Sequence, residues 1–188
     1  MRTVLWCGAA AGVLPLLALG GYVVAIQSHN NFDVVVADQM YRSAQPTARD
    51  IARYSAQNHI ASIVNLRGAS VGASWYDQEL AAASAAGVQH YDFRMSASQS
   101  LTQQEAADLL ALLDHAEKPV LIHCNWGADR TGLAAALYLA AIAKQGEEAA
   151  ESQLSLRYGH FSVPMLSQGY AMDETFEALE PWLGFFDS

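Results

Sequence analysis

Basic residues are scarce in this chain. Ten Lys and Arg stand against nineteen Asp and Glu over 188 residues, for a formal net charge of −9. Nucleic-acid binding needs concentrated cationic side chains to neutralise phosphates, so this balance excludes a nucleic-acid partner. An anionic substrate must be captured by a local arrangement, while acidic surface elsewhere serves solubility. Cysteine is scarcer still, at two residues, Cys7 and Cys124. Cys7 falls inside an apolar run that a partner from the rest of the chain could not easily reach, so no disulfide framework is available. A lone thiol is a liability in an oxidising compartment unless it does chemistry, which singles out Cys124 as a candidate nucleophile. Internal repeats and low-complexity tracts are also lacking. Past its N-terminus the chain has the length and apolar content of one compact domain.

Charge is missing altogether from Thr3 to Ile26, behind a single Arg2. A run of that length and composition can span a bilayer. Residues 1–27 therefore read as a membrane anchor. A removable signal is the alternative, because Ala18-Leu19-Gly20 offers small residues at the spacing for cleavage after Gly20. Pro15 and the paired Gly20-Gly21 weigh against a buried helix of the globular domain. Beyond the run, Asp33 and Asp38 precede the next basic residue, Arg42. The positive-inside rule then places the main domain outside the cytoplasm, on a bacterial inner membrane facing the periplasm, or free in the periplasm after cleavage. Residues 28–32 suit a linker, leaving 33–188 for the folded domain.

Within that domain strands and helices alternate. Val34–Val36 and Met40–Arg42 read as short strands around a turn at 37–39. A helix follows from Pro46-Thr47 to Asn58, then a buried strand over Ile60–Leu66. Ser74 is placed to cap a helix over Trp75–Ala86 that Gly87 stops, and a strand is expected over Val88–Met95. Thr102-Gln103-Gln104-Glu105 is a capping box for a helix whose core face carries Leu109, Leu110, Leu112 and Leu113. Val120–His123 is a short apolar strand, and further helices are expected over Arg130–Lys144, Glu147–Tyr158 and Ser167–Leu179. This order predicts an α/β fold, a mostly parallel central sheet with helices on both faces, preceded by an N-terminal apolar helix. Ligands in such folds bind where strand carboxyl ends meet helix N-termini, and the end of the strand at His123 is such a place.

What stands there is His123-Cys124-Asn125-Trp126-Gly127-Ala128-Asp129-Arg130-Thr131-Gly132. A loop passing from a strand end into a helix N-terminus turns several backbone N–H groups inward and makes a nest for a tetrahedral anion. The same field favours a thiolate, the nucleophilic form of Cys124. Arg130 follows on the first turn of the helix, where its planar fork can close over two phosphate oxygens in a way lysine could not. Gly127 lets the backbone approach the anion, and the Thr131 hydroxyl can donate to the sulfur as it departs in a second step. His123 is read as fixing the loop by a hydrogen bond and not as a base. Asn125, Trp126, Gly127, Ala128 and Thr131 form the substrate-binding set.

This run resembles the signature loop of the protein-tyrosine phosphatase superfamily: His-Cys, five residues, then Arg and Ser/Thr. Tyr41-Arg42-Ser43-Ala44-Gln45-Pro46 and Val64-Asn65-Leu66-Arg67-Gly68, by their spacing to Cys124, are similar to the small bacterial dual-specificity-like phosphatases. The resemblance spans Asp33 to about Leu183. It implies a cysteine-dependent phosphomonoester hydrolase with Cys124 as nucleophile and Arg130 as phosphate clamp, a phosphocysteine intermediate hydrolysed by water, and no metal or organic cofactor.

One part of the family pattern is missing. Many relatives carry an acidic residue on the loop before the helix that precedes the signature strand, but Met95–Leu101 holds no carboxylate. Asp129, similar in place to an aspartate of myotubularin-like lipid phosphatases, is one candidate general acid, and Asp92 is the other. A substrate whose leaving group needs little protonation would require neither. Arg42, Arg67 and Arg94 sit near strand ends, where they can line the entrance. Arg157-Tyr158-Gly159-His160 can approach the pocket from the C-terminal side, with no role assigned to it.

The expected substrate is a phosphorylated protein, on tyrosine or another residue. A phospholipid or inositol phosphate is the second choice. A phosphate-binding module with a dead site and a rhodanese-like sulfurtransferase are weaker readings, because His-Cys and Arg130-Thr131 fit phosphatases better. The sequence fixes no oligomeric state.

Overall fold

In the computed structural model, which describes residues 20–22, 24–26, 28–164 and 166–186, five strands form one sheet in the order β1-β2-β5-β3-β4. β1 (Asp33–Val36) and β2 (Met40–Ser43) form an antiparallel hairpin with a bulge between Val34 and Val36. β2, β5 (Val120–His123), β3 (Ser62–Asn65) and β4 (Gln89–Asp92) are parallel. Their register sets Ser43, His123, Asn65 and Asp92 side by side in one row. All four parallel strands thus end at the same level, and the signature loop leaves from the middle of that edge.

The chain's period-2 pattern decides which face each side chain serves. In β5, Val120 and Ile122 enter one core and Leu121 the other. The smaller core lies against α1 (Ala48–Asn58) and α2 (Ser74–Ala86), with Ile51, Tyr54 and Ala83 packed on Ile63 and Leu121. The larger one holds α3 (Gln103–His115), α4 (Asp129–Ala141), the short α5 (Glu147–Glu151) and α6 (Tyr170–Leu183). Every residue of α4 from Thr131 to Ala140 is buried. Its alanines let α3, α5 and α6 crowd around it, so the helix that carries Arg130 is held from all sides.

Local rules explain most boundaries. Thr47 with Asp50, and Thr102 with Glu105, form complete capping boxes. Five expectations fail. Ala73, not Ser74, caps α2, and Ser74 Oγ instead accepts from Gln78 Nε2 at 2.8 Å. The strand expected to Met95 stops at Asp92, after which Phe93 and Met95 each donate one more backbone bond to β3 and its exit before the chain leaves the sheet. The helix expected over Glu147–Tyr158 ends at Glu151, because Ser152 and Ser155 hydroxyls donate to the Ala149 and Ser152 carbonyls and offer the backbone a turn instead. A separate 3-10 turn covers Leu156–Tyr158. Finally α4 stops at Ala141 and α6 runs on to Leu183 through Pro181.

The anchor or signal expected over 1–27, with Cys7, lies mostly outside the described residues. Among the described residues no helix is long and apolar enough to cross a membrane. Residues 20–22 and 24–26 are helical, and Tyr22 Oη donates to the Arg157 carbonyl at 2.9 Å. The segment read as a linker is packed: Phe32 stacks on Tyr54 with ring centroids 4.1 Å apart, and Asn31 is buried.

Candidate active site

The loop from Cys124 to Ala128 is gripped from behind by its carbonyls. Gln45 N donates to Asn125 O, Asn31 Nδ2 to Trp126 O at 3.0 Å, Arg42 Nη2 to Gly127 O at 2.8 Å, and Gly132 N to Ala128 O at 2.8 Å. In a planar trans peptide the following N–H points opposite to the carbonyl. The N–H groups of Trp126, Gly127, Ala128 and Asp129 therefore face away from the body of the protein, toward the cleft, as an anion nest requires. Asn31, Arg42 and Gln45 build this nest from the N-terminal part of the chain.

Arg42 corrects one expectation. It is fully buried, and does not line the entrance. Besides Gly127 O, it donates to Gln153 O and to Gln153 Oε1 at 2.7 Å, and its guanidinium lies 3.6 Å from the Tyr158 ring centroid. Burial pulls its pKa down to about 10, against the opposing pull of Tyr158 and Cys124. Gly127 has a further reason. At φ +70°, a Cβ there would lie 2.7 Å from the backbone of Ser43 and Ala44. Only glycine fits between the loop and the end of β2.

His123 is buried at the loop's start, and its Nε2–H donates to Glu79 Oε1 at 2.8 Å. His90 Nε2 donates to the same oxygen at 2.8 Å, and Gln45 Nε2 to Glu79 Oε2 at 2.5 Å. Burial alone would raise the Glu79 pKa, but the hydrogen bonds from His123 and His90 bring it down to about 2. The histidine therefore ties the loop to α2, and no base role is open to it on that nitrogen. Gln45 lies in the Tyr41–Pro46 run that carries the family resemblance, though nothing in it points to this contact, and for Glu79 a lone Glu inside an Ala-rich helix is the faint hint.

A cleft of about 600 Å³ opens over Cys124. Its lining includes Arg67, Trp75, Arg94, Asn125, Trp126, Asp129, Arg130 and Gln168. Arg67 stacks on Trp75 at 3.5 Å and donates to Gln45 Oε1, which is itself held by Glu79. Burial, and then the charge of Arg130, lower the Arg67 pKa, as expected for two cations facing one cavity. Arg130 is loosely held: Nη1 reaches Met95 O at 3.4 Å and Nε is buried without a partner among the described residues. None of Arg67, Arg94 and Arg130 forms a salt bridge among the described residues. An acidic protein thus keeps a cationic mouth. Arg94, Ala97, Arg130 and Gln168 also line a second cavity of about 540 Å³ along the serine-rich loop 96–100.

The Thr131 hydroxyl is buried without a partner among the described residues, so the expected donation to the sulfur is not made here. Asp92 is not part of the cleft. It ends the edge strand β4, where Asn65 Nδ2 donates to Oδ1 at 2.8 Å and Tyr76 Oη to Oδ2 at 2.5 Å. The hydrogen bond to Asp92 is the main reason the Tyr76 phenol is raised to about 12. Asp129 does line the cleft. Its Oδ1 accepts from His160 Nδ1 at 2.7 Å, while His160 Nε2 donates to Asp173 Oδ2 at 2.9 Å.

A thiol at the base of an amide nest, beside a guanidinium free to turn onto a phosphate, defines a cysteine-dependent phosphatase. The sequence model described as "Swiss Army Knife protein, DSP-PTPase phosphatase domain" matches residues 29–168. The chain belongs to that family, and with it to the atypical dual-specificity phosphatases that hydrolyse phosphomonoesters. Among solved structures it is similar to Pseudomonas aeruginosa TpbA, with 25% identity and a TM-score of 0.54 over 75% of this chain and 86% of that one. A cysteine-to-serine TpbA in complex with pTyr gives 22% identity and a TM-score of 0.57 over 79% and 91%. The catalytic core of the Saccharomyces cerevisiae PP-IP phosphatase Siw14 gives 20% and 0.58 over 84% and 94%. No curated protein matches.

Proposed function

We propose that the enzyme hydrolyses phosphotyrosine and related phosphoprotein esters, with Cys124 as nucleophile, the 126–129 amides and Arg130 as the phosphate cradle, and Asp129 as general acid. The observation that carries this reading is the capture of four consecutive loop carbonyls by the protein behind the loop, which leaves the following amides to face the cleft over Cys124. Trp75 and Trp126 flank the cleft and suit an aromatic ester, and the pTyr complex of the TpbA relative supports the same choice. The second reading, a polyphosphorylated small molecule such as an inositol phosphate, draws on the adjoining cavity, where Arg94 and three serines could receive another anionic group.

A panel of phosphotyrosine peptides, inositol phosphates and phospholipids decides between them. We expect peptide turnover, lost by several orders of magnitude in Cys124→Ser while phosphate binding persists. Turnover confined to inositol phosphates would replace the first reading with the second.

The apolar run over 3–26 further supports a domain held outside the cytoplasm, by an anchor in the inner membrane or in the periplasm after cleavage. Protease added to intact spheroplasts should digest the domain; protection of it would reverse this placement.

A further inference from the structure

His160 belongs to a stretch to which the sequence assigns no role, and it lies against the signature loop. It is buried, and both of its ring nitrogens meet carboxylate oxygens: Nδ1 that of Asp129 at 2.7 Å, Nε2 that of Asp173 at 2.9 Å. The two partners come from different helices, Asp129 from the first residue of α4 and Asp173 from the first turn of α6. A third element closes the cluster. Gly169, immediately before α6, is so close that a Cβ on it would lie 2.8 Å from Asp129 Oδ1 and 3.2 Å from His160 Cε1.

We infer that His160, clamped by Asp173 and seated on Gly169, is the positioning residue for Asp129: it holds Oδ1, leaves Oδ2 to face the cleft, and counters the charge that Asp129 acquires when it gives up its proton. This rests on Asp129 being the general acid. In the first half-reaction a sulfur electron pair of Cys124 forms the S–P bond, and the P–O bond to the leaving group breaks. The freed oxygen takes the proton of Asp129. The resulting carboxylate sits against the imidazolium N–H. In the second half-reaction a water oxygen forms a P–O bond, its proton passes to Asp129, and the S–P electron pair returns to sulfur. His160 keeps its protons throughout. Burial opposes charge on the ring, but against the two ionised carboxylates the hydrogen bonds from His160 to Asp129 and Asp173 raise its pKa to about 9, which favours the imidazolium in the state that follows proton release.

The arrangement also explains the bare 95–101 loop. With the acid carried and steadied by the signature loop's own end, no carboxylate is needed above the cleft.

Leaving-group dependence tests this, because acid catalysis matters most for poorly leaving alcohols. With the full chain, kcat/KM, which ends at departure of the leaving alcohol and excludes the hydrolysis of the shared phosphocysteine, is compared on phenyl phosphate and on the activated ester p-nitrophenyl phosphate. His160→Ala should lose about 10- to 100-fold on the former and under about threefold on the latter. Asp173→Asn, which leaves the His160–Asp129 contact in place, should show the same selectivity at smaller size. Gly169→Ala alters no titratable group, and it should give the same signature by displacing the Asp129 carboxylate. If His160→Ala fails to fold, the latter two variants are read by the same criterion. Equal losses on both esters, with Asp129→Asn still selective, would overturn the role of His160 and leave Asp129 as the acid. An Asp129→Asn variant without selectivity would overturn both.

Discussion

Two histidine–carboxylate clusters flank the signature loop, and they are built from the same chemistry to opposite ends. At the loop's start His123 meets Glu79, with both side chains wholly buried. At its end His160 meets Asp129, whose side chain keeps 32% of its exposure and lines the cleft. A sealed carboxylate can only hold something in place. An open one, steadied from behind, retains an oxygen for a substrate. The pair type is therefore silent about role, and exposure of the carboxylate decides it.

Glu79→Gln should break the first cluster with the larger effect. Glu79 receives hydrogen bonds from His123, His90 and Gln45, and Gln45 in turn holds Arg67. A buried hydrogen bond to a charged group contributes roughly 1.5–3 kcal/mol. We expect a loss of stability within that range and a fall in kcat/KM of equal size on phenyl and p-nitrophenyl phosphate, the opposite of the selectivity expected at His160. A pH signature accompanies it. The Glu79 pKa falls from 4.5 to about 2 on folding, so its contribution is complete above 4.5 and is lost as pH drops through about 2. Urea unfolding between pH 5 and 2 should show wild type losing on the order of 2–3 kcal/mol that the Gln variant never had.

How far the sequence could lead is visible in the same two clusters. Cys124, Arg130 and the strand-loop-helix around them are contiguous, and contiguity is what a motif records. The capping boxes at Thr47 and Thr102 and the apolar β5 are equally local, and they placed α1, α3 and the central strand. Apart from the Gly132 N–H on the Ala128 carbonyl, what aims the loop is remote: Asn31 and Arg42 reach it from before the first crossover, Glu79 from α2, and His160 and Asp173 from beyond α5. A single sequence carries no trace of such pairings. Arg42 shows the cost of guessing. Its place at a strand end was read correctly, but period-2 alternation leaves open whether an arginine turns to solvent or under the loop, and here the carbonyls of Gly127 and Gln153 settle it. Asp92 failed for the matching reason, since β4 is the edge strand and Asn65 and Tyr76 are nearer than the cleft.

The smallest effect expected is at the alkaline end, where the second cluster can be separated from the first. His160 is raised from 6.5 to about 9 by hydrogen bonds to Asp129 and Asp173 that outweigh its burial. A group whose pKa rises on folding contributes fully below its unfolded value and loses that contribution as pH climbs through the folded one. Stability drawn from His160 should therefore be whole below pH 6.5 and fade toward pH 9. The gain is modest, because the carboxylates it faces, Asp129 on α4 and Asp173 on α6, are both partly open to water. Unfolding midpoints in urea at steps from pH 6 to 9.5 should decline in wild type and in Glu79→Gln alike, and stay nearly level in His160→Gln. A decline of the same slope in His160→Gln would mean that the imidazolium is not what joins α4 to α6, and the contrast between the two histidines would reduce to burial alone.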